Sequence, residues 1–143
     1  MSTYQIVSER KQATYAIKSP ADAFKALSRY RNKPVEHFFM ISLSAAHEVV
    51  SIRIISIGSL DRAIVHPRDL FIEAIKDRSA AIIVAHLHPS GRTEPSEPDI
   101  ELTRRLRQGG ELLGIPVLDH LVISRNGYWS MVEHGQLAPV GLE

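Results

Sequence analysis

A chain of 143 residues with 44% hydrophobic and 23% charged residues can bury a core without disulfide or metal staples, and is neither a disordered tail nor a fibrous repeat. Seventeen Lys and Arg against sixteen Asp and Glu leave a formal charge of +1, which supplies no overall drive towards nucleic acid or an anionic membrane. There is no cysteine, so disulfides, thiolate metal sites and cysteine nucleophiles are excluded, and any metal has to be held by His, Asp or Glu. No stretch approaches the ~18 apolar residues of a membrane span. Residues 1–10 lack the apolar centre of a secretory leader, so the expectation is a cytoplasmic protein.

No Gly/Ser linker, internal repeat or low-complexity run divides the chain. This predicts a single domain over residues 1–143, with 1–18 an N-terminal extension or edge strand and 136–143 a mobile tail. Ser19 and Pro20 read as the N-cap and first position of a helix that runs on through residues 23–30 and is ended by Asn32-Lys33-Pro34. His37–Leu43 and Val49–Ile57 are apolar runs rich in β-branched and aromatic residues, joined through Ser44-Ala45-Ala46-His47, and predict a β-hairpin. Gly58-Ser59-Leu60-Asp61 then turns the chain. After His66-Pro67-Arg68-Asp69, the spacing of Leu70, Phe71, Ala74 and Ile75 predicts the buried stripe of a helix reaching about Arg78. Residues 80–85 form a short apolar run of the kind buried on both faces of a sheet, and they deliver His86-Leu87-His88 at their end. Ser96 is placed to cap a helix carrying Ile100, Leu102, Leu106 and Leu113, broken near Gly109-Gly110 or Gly114. Residues 116–124 and 128–132 flank Arg125-Asn126-Gly127, a second hairpin signal because Asn-Gly readily supplies positive φ angles. Strands and helices alternate, which predicts an α/β fold.

Chemistry concentrates between His86 and Asp99. Residues i and i+2 of an extended strand point to the same side, so His86 and His88 can present two ring nitrogens together. Asp99 follows the proposed cap Ser96 by three residues and therefore lies in the first helical turn, where the loop can return it to the strand end. Two imidazoles and one carboxylate are the donor set of catalytic zinc, with a further position left for water, and this points to hydrolysis. The same residues also suit a plainer account. A histidine in a strand is commonly a hydrogen-bonded core residue, Gly91, Pro95 and Pro98 are ordinary turn formers, and Ser96 with Asp99 can simply cap a helix. Spacing by itself does not decide between the two. His37, His47, His66, His120 and His134 lie outside the spacing and read as surface or hydrogen-bonded residues; His120, next to Asp119, could support a ligand, but a structural role is favoured. Arg104-Arg105-Leu106-Arg107 reads as a solvated helix face, with a basic rim for phosphate or an acidic peptide as the alternative.

His86, His88, Ser96 and Asp99 meet the pattern His-x-His, seven residues, Ser, two residues, Asp, which resembles the JAMM signature of MPN-type metallopeptidases. The flanking His88-Pro89-Ser90-Gly91, Glu94-Pro95-Ser96, Leu113-Gly114-Ile115-Pro116 and Asp119-His120 are similar to the bacterial RadC branch of JAB-like domains, over roughly residues 19–131. That branch often has Asn between the two histidines where Leu87 stands here. The resemblance implies a mixed β-sheet flanked by helices, cytidine-deaminase-like in outline. It implies Zn2+ on His86, His88 and Asp99, and cleavage of an amide or isopeptide bond in a peptide or protein substrate. It further implies an upstream Glu as general acid/base, for which Glu36 is the matching position and Glu48 the competitor, and Ser96 as the donor that stabilises the oxyanion. A DNA-repair-associated or nucleic-acid-binding accessory role with a structural or vestigial metal, or a nuclease, is the alternative that the RadC resemblance leaves open.

Overall fold

The computed structural model describes residues 3–7, 15–58 and 65–140, the first of these segments by its strand pairing alone. Among the described residues six strands form one mixed sheet: β1 (Thr3–Val7), β2 (His37–Leu43), β3 (Val49–Ile57), β4 (Ala81–Leu87), β5 (Val117–Ser124) and β6 (Gly127–Ser130), in the order β1-β3-β2-β4-β5-β6. Neighbouring strands are antiparallel except β4 and β5, which run parallel through an intervening helix, as parallel strands must. Within residues 1–18, Thr3–Val7 is thus an edge strand on β3. The β2–β3 hairpin closes through Ser44, whose N–H donates to the Glu48 carbonyl at 2.9 Å, with His47 at φ 60°.

Central strands buried on both faces need apolar residues at odd and even positions alike, and β2 and β4 are buried throughout. On one face Phe39, Ile41, Ile83 and Ala85 pack with Ala23 and Leu27 of the α1 segment, α1 being Pro20–Ala26. On the other, Phe38, Met40, Ile82 and Val84 pack with Leu70, Phe71 and Ala74 of α2 (Pro67–Lys76) and Leu106 of α3 (Glu97–Leu113). A mixed sheet flanked by helices is the architecture the sequence predicted.

Several boundaries differ from the sequence reading. The helix expected to continue to residue 30 stops as an α-helix at Ala26: the Leu27 N–H is shared between the Ala23 and Phe24 carbonyls, and Ser28–Tyr30 continue as a tighter 3-10 turn. Ile75 and Leu113, expected in buried stripes, are 54% and 48% exposed. The helix α3 runs unbroken through Gly109 and Gly110 and ends at Gly114, whose φ of 73° is the left-handed cap that glycine tolerates. A Cβ on Gly110 would lie 2.4 Å from the Ile115 carbonyl oxygen, so glycine here permits close packing rather than a break. The last strand ends at Ser130, not residue 132, and the β5–β6 turn is centred on Arg125-Asn126, with positive φ only at Gly127. In the tail, Trp129 Nε1 donates to Gln136 Oε1 at 2.8 Å and Arg107 Nη2 donates to the Ala138 carbonyl at 2.7 Å. The turn expected at residues 58–61 falls largely outside the described residues, as do residues 141–143.

Candidate metal centre

His86 sits near the end of β4, on the face that α2 and α3 cover, and is 1% exposed. His88 lies one residue beyond the strand, with its side chain 20% exposed. The loop from Pro89 to Pro95 returns the chain to α3, where Ser96 and Asp99 form a capping box. The Ser96 hydroxyl accepts from the Asp99 N–H at 3.2 Å, and the Ser96 N–H donates to Asp99 Oδ2 at 2.7 Å. Sequence spacing therefore fixes Asp99 twice, as a helix cap and as a carboxylate turned back to the strand end.

Three donor atoms converge here. His86 Nε2 lies 2.7 Å from His88 Nε2 and 3.2 Å from Asp99 Oδ2, and His88 Nε2 lies 3.9 Å from the same oxygen. Tetrahedral ligands ~2.1 Å from a zinc ion stand about 3.4 Å apart, so the donor set and its spacing suit such an ion. His86, His88 and Asp99 can therefore hold a metal.

Hydrogen bonding behind the rings decides which nitrogens face the site. His88 Nδ1 is 3.1 Å from the Arg92 carbonyl, which can only accept, so the proton is on Nδ1 and Nε2 carries the lone pair. Burial, and His86 beside it, push the His88 imidazole below its ordinary pKa. Burial alone would raise the Asp99 carboxyl, but the hydrogen bond and charge of His86, with the Ser96 N–H, hold it well below the usual carboxylate range. The centre thus gathers two imidazoles and one carboxylate at the strand end.

Glu36 lies beside this group. β2 and β4 pair with Phe38 opposite His86 and His37 opposite Leu87, so continuing the register sets Glu36 across from His88. Glu36, Val35 and Pro34 line a cleft of about 360 Å³ together with His88, Pro89 and Ser90. Glu48 is at the other end of the hairpin, where β3 begins. Ser96, exposed at the start of α3, is adjacent to the centre through Asp99.

The loop is braced from the β5–β6 turn. The Gly91 carbonyl accepts from Ser124 Oγ at 3.1 Å and from Asn126 Nδ2 at 3.0 Å, and Arg125 donates to the Pro89 and Ser90 carbonyls. A Cβ at Gly91, which has φ 93°, would meet Asn126 Nδ2 at 2.7 Å, so the close approach needs glycine. Of the basic run in α3, Arg104 pairs with exposed Glu101, and Arg107 donates to the Val117 and Ala138 carbonyls. Both are engaged within the chain.

Two residues beneath the centre carry more than their sequence context indicated. His120 is wholly buried, with its Nε2 2.9 Å from His86 Nδ1, and Thr103 Oγ1 bonds both His120 Nδ1 and, at 2.7 Å, the Asp99 carbonyl. Burial, with His86 adjoining, depresses the His120 pKa to about 3, so the ring is neutral. The available sequence signal was a lone polar ring inside an apolar strand, which lacks meaning until that strand is placed beside β4.

Residues 17–136 match the family described as RadC-like JAB domain. The chain belongs to that family. Relatives each named UPF0758 protein are 49% identical over 126 residues in Alkaliphilus metalliredigens, covering 86% of this chain and 53% of theirs, and 45% identical over 122 residues in Rubrobacter xylanophilus, covering 85% and 53%. One in Methanospirillum hungatei is 47% identical over 105 residues, 73% of this chain and 47% of the relative. The chain spans about half the length of these curated relatives. Its mixed sheet flanked by helices is consistent with the JAB/MPN fold, and a His-His-Asp group able to bind a metal is consistent with a RadC-like JAB domain. Among the described residues no helix is long and apolar enough to cross a membrane.

Proposed function

We propose that this RadC-like JAB domain is a zinc-dependent hydrolase that cleaves an amide or isopeptide bond in a peptide or protein substrate. The observation that carries this reading is the convergence of His86 Nε2, His88 Nε2 and Asp99 Oδ2, with Glu36 lining the same cleft as His88. A nitrogen and carboxylate donor set in a chain without cysteine favours zinc among the ions such sites take. When bound there, zinc would acidify a water and polarise a carbonyl. The Glu36 carboxylate, at the cleft with His88, takes the proton of the attacking water and returns it to the leaving nitrogen. In the cap, the Ser96 hydroxyl uses an oxygen lone pair, which leaves its proton to donate to the carbonyl oxygen as negative charge develops. The nucleic-acid alternative draws on the arginines of α3, two of which are already bonded within the chain, and is the weaker reading.

The test is cleavage of a panel of linear peptides and isopeptide-linked conjugates by the zinc-loaded protein. The proposal predicts cleavage abolished by a chelator, restored by zinc, and lowered by about 100-fold or more in Glu36→Gln. Full activity in Glu36→Gln would overturn the assignment of Glu36, and activity indifferent to chelation would overturn the metal reading.

A further inference from the structure

The reading of His86 as a metal ligand leaves open what fixes its ring, and the buried groups behind it answer this. Parallel pairing sets Val84 opposite His120 and His86 opposite Val122, so His120 projects from the same face as His86, one strand over. Thr103 is 1% exposed, on the turn of α3 that follows Asp99. Phe38 closes the layer, with its ring stacked 6.3 Å from His86 and edge-on 5.8 Å from His120.

With an ion taking the His86 Nε2 lone pair, the hydrogen-bond direction in this layer is fixed at both ends. The Asp99 carbonyl can only accept, so the single hydroxyl proton of Thr103 goes to it. The Thr103 oxygen then offers a lone pair to His120, whose proton must be on Nδ1. A neutral imidazole has one N–H, so His120 Nε2 is an acceptor and takes the proton of His86 Nδ1. His86 is left with its lone pair on Nε2, the atom 3.2 Å from Asp99 Oδ2. The circuit closes on Asp99, which supplies a carbonyl at one end and a carboxylate at the other.

We propose that His120 and Thr103 are positioning residues for the metal centre: by a one-way chain of hydrogen bonds starting at the Asp99 carbonyl, they hold His86 as the Nδ1–H tautomer with Nε2 facing the ion. This rests on the metal-ligand reading of His86, His88 and Asp99. It makes a ligand's ring orientation depend on a threonine and a histidine that never touch the ion. Partners of this kind typically change metal affinity by about 10–100-fold when removed.

The test uses the zinc-loaded full chain with 15N-labelled histidine, and long-range 15N–1H correlation spectra that distinguish Nδ1–H from Nε2–H rings. The expected result is His86 and His120 both as Nδ1–H tautomers in the unsubstituted chain. Thr103→Val, equal in size but unable to bond, should weaken zinc binding by about 10–100-fold in chelator competition, while Thr103→Ser retains the affinity. His120→Gln, which keeps an acceptor towards His86, should bind zinc more tightly than His120→Leu. Nε2–H His120 in the zinc-loaded protein overturns the proposal, as does a folded Thr103→Val with unchanged zinc affinity. Failure of the unsubstituted chain to bind zinc would instead sink the metal-ligand reading, so the two failures are separable.

Discussion

At Ser96 two duties coincide, and different measurements separate them. Its hydroxyl oxygen caps α3, and its main-chain N–H holds Asp99 Oδ2, a contact that no side-chain substitution removes. Ser96→Ala should therefore lower the unfolding free energy by about 1 kcal/mol in urea titrations, as cap losses do. Zinc content should be unchanged, and turnover should fall about 100-fold through the loss of ~3 kcal/mol of oxyanion stabilisation. A normal kcat with only the stability loss would reduce Ser96 to a cap. The convergence of His86, His88 and Asp99 was legible in sequence because strand alternation and helix capping are local rules. Thr103 was not, and His120 appeared only as the less favoured alternative, because their meaning comes from the packing of α3 and the parallel pairing of β4 with β5.

Among the elements, α3 illustrates where local propensity misleads. Gly109-Gly110 reads as a helix stop, yet the helix continues because both glycines are contact points: a Cβ at Gly109 would meet Phe71 Cε2 at 3.0 Å, and one at Gly110 the Ile115 carbonyl at 2.4 Å. Gly110→Ala should cost roughly 1–3 kcal/mol, since a main-chain oxygen has to move. Gly109→Ala should cost less, because the Phe71 ring can yield and alanine favours the helix by about 1 kcal/mol. Thermal or urea unfolding of the two variants checks this order, and a Gly109→Ala loss as large as that of Gly110→Ala would contradict it. In α2 the inward stripe is Leu70, Phe71 and Ala74 with Glu73, while Ile75 faces out. Glu73 turns inward to meet Arg53 at 2.9 Å, a long-range ion pair invisible to helical periodicity. The continuous apolar runs of β2, β3 and β4, by contrast, fixed their own boundaries closely.

Over the whole molecule, Arg53 of β3 joins the sheet to α2 by pairing with Glu73 and with Asp77, which also accepts from Ser42 and Ser51 at 2.6 Å each. Burial alone would raise the Asp77 carboxyl, but hydrogen bonds from Arg53, Ser42 and Ser51 and the Arg53 charge lower it below its ordinary 3.8. A carboxyl lowered on folding contributes stability that is complete above its unfolded pKa and is lost as pH falls through the folded value. The unfolding free energy should therefore drop on acidification below about pH 4. Asp77→Asn should cost about 3 kcal/mol at pH 7 and make the drop shallower, because it removes one carboxylate partner of Arg53. Urea titrations at pH 7 and 3 test this, and the same acid loss in both proteins would contradict it. Strand order, like this cluster, lay beyond the sequence because it depends on pairings between distant segments.

The central claim is that His86, His88 and Asp99 hold a catalytic metal, and elemental analysis of the purified, untagged chain tests it most directly. The account predicts about one zinc per chain after reconstitution, and loss of that zinc in His86→Ala, His88→Ala and Asp99→Ala variants that remain folded by circular dichroism. No zinc after reconstitution, or zinc retained in all three variants, would contradict it.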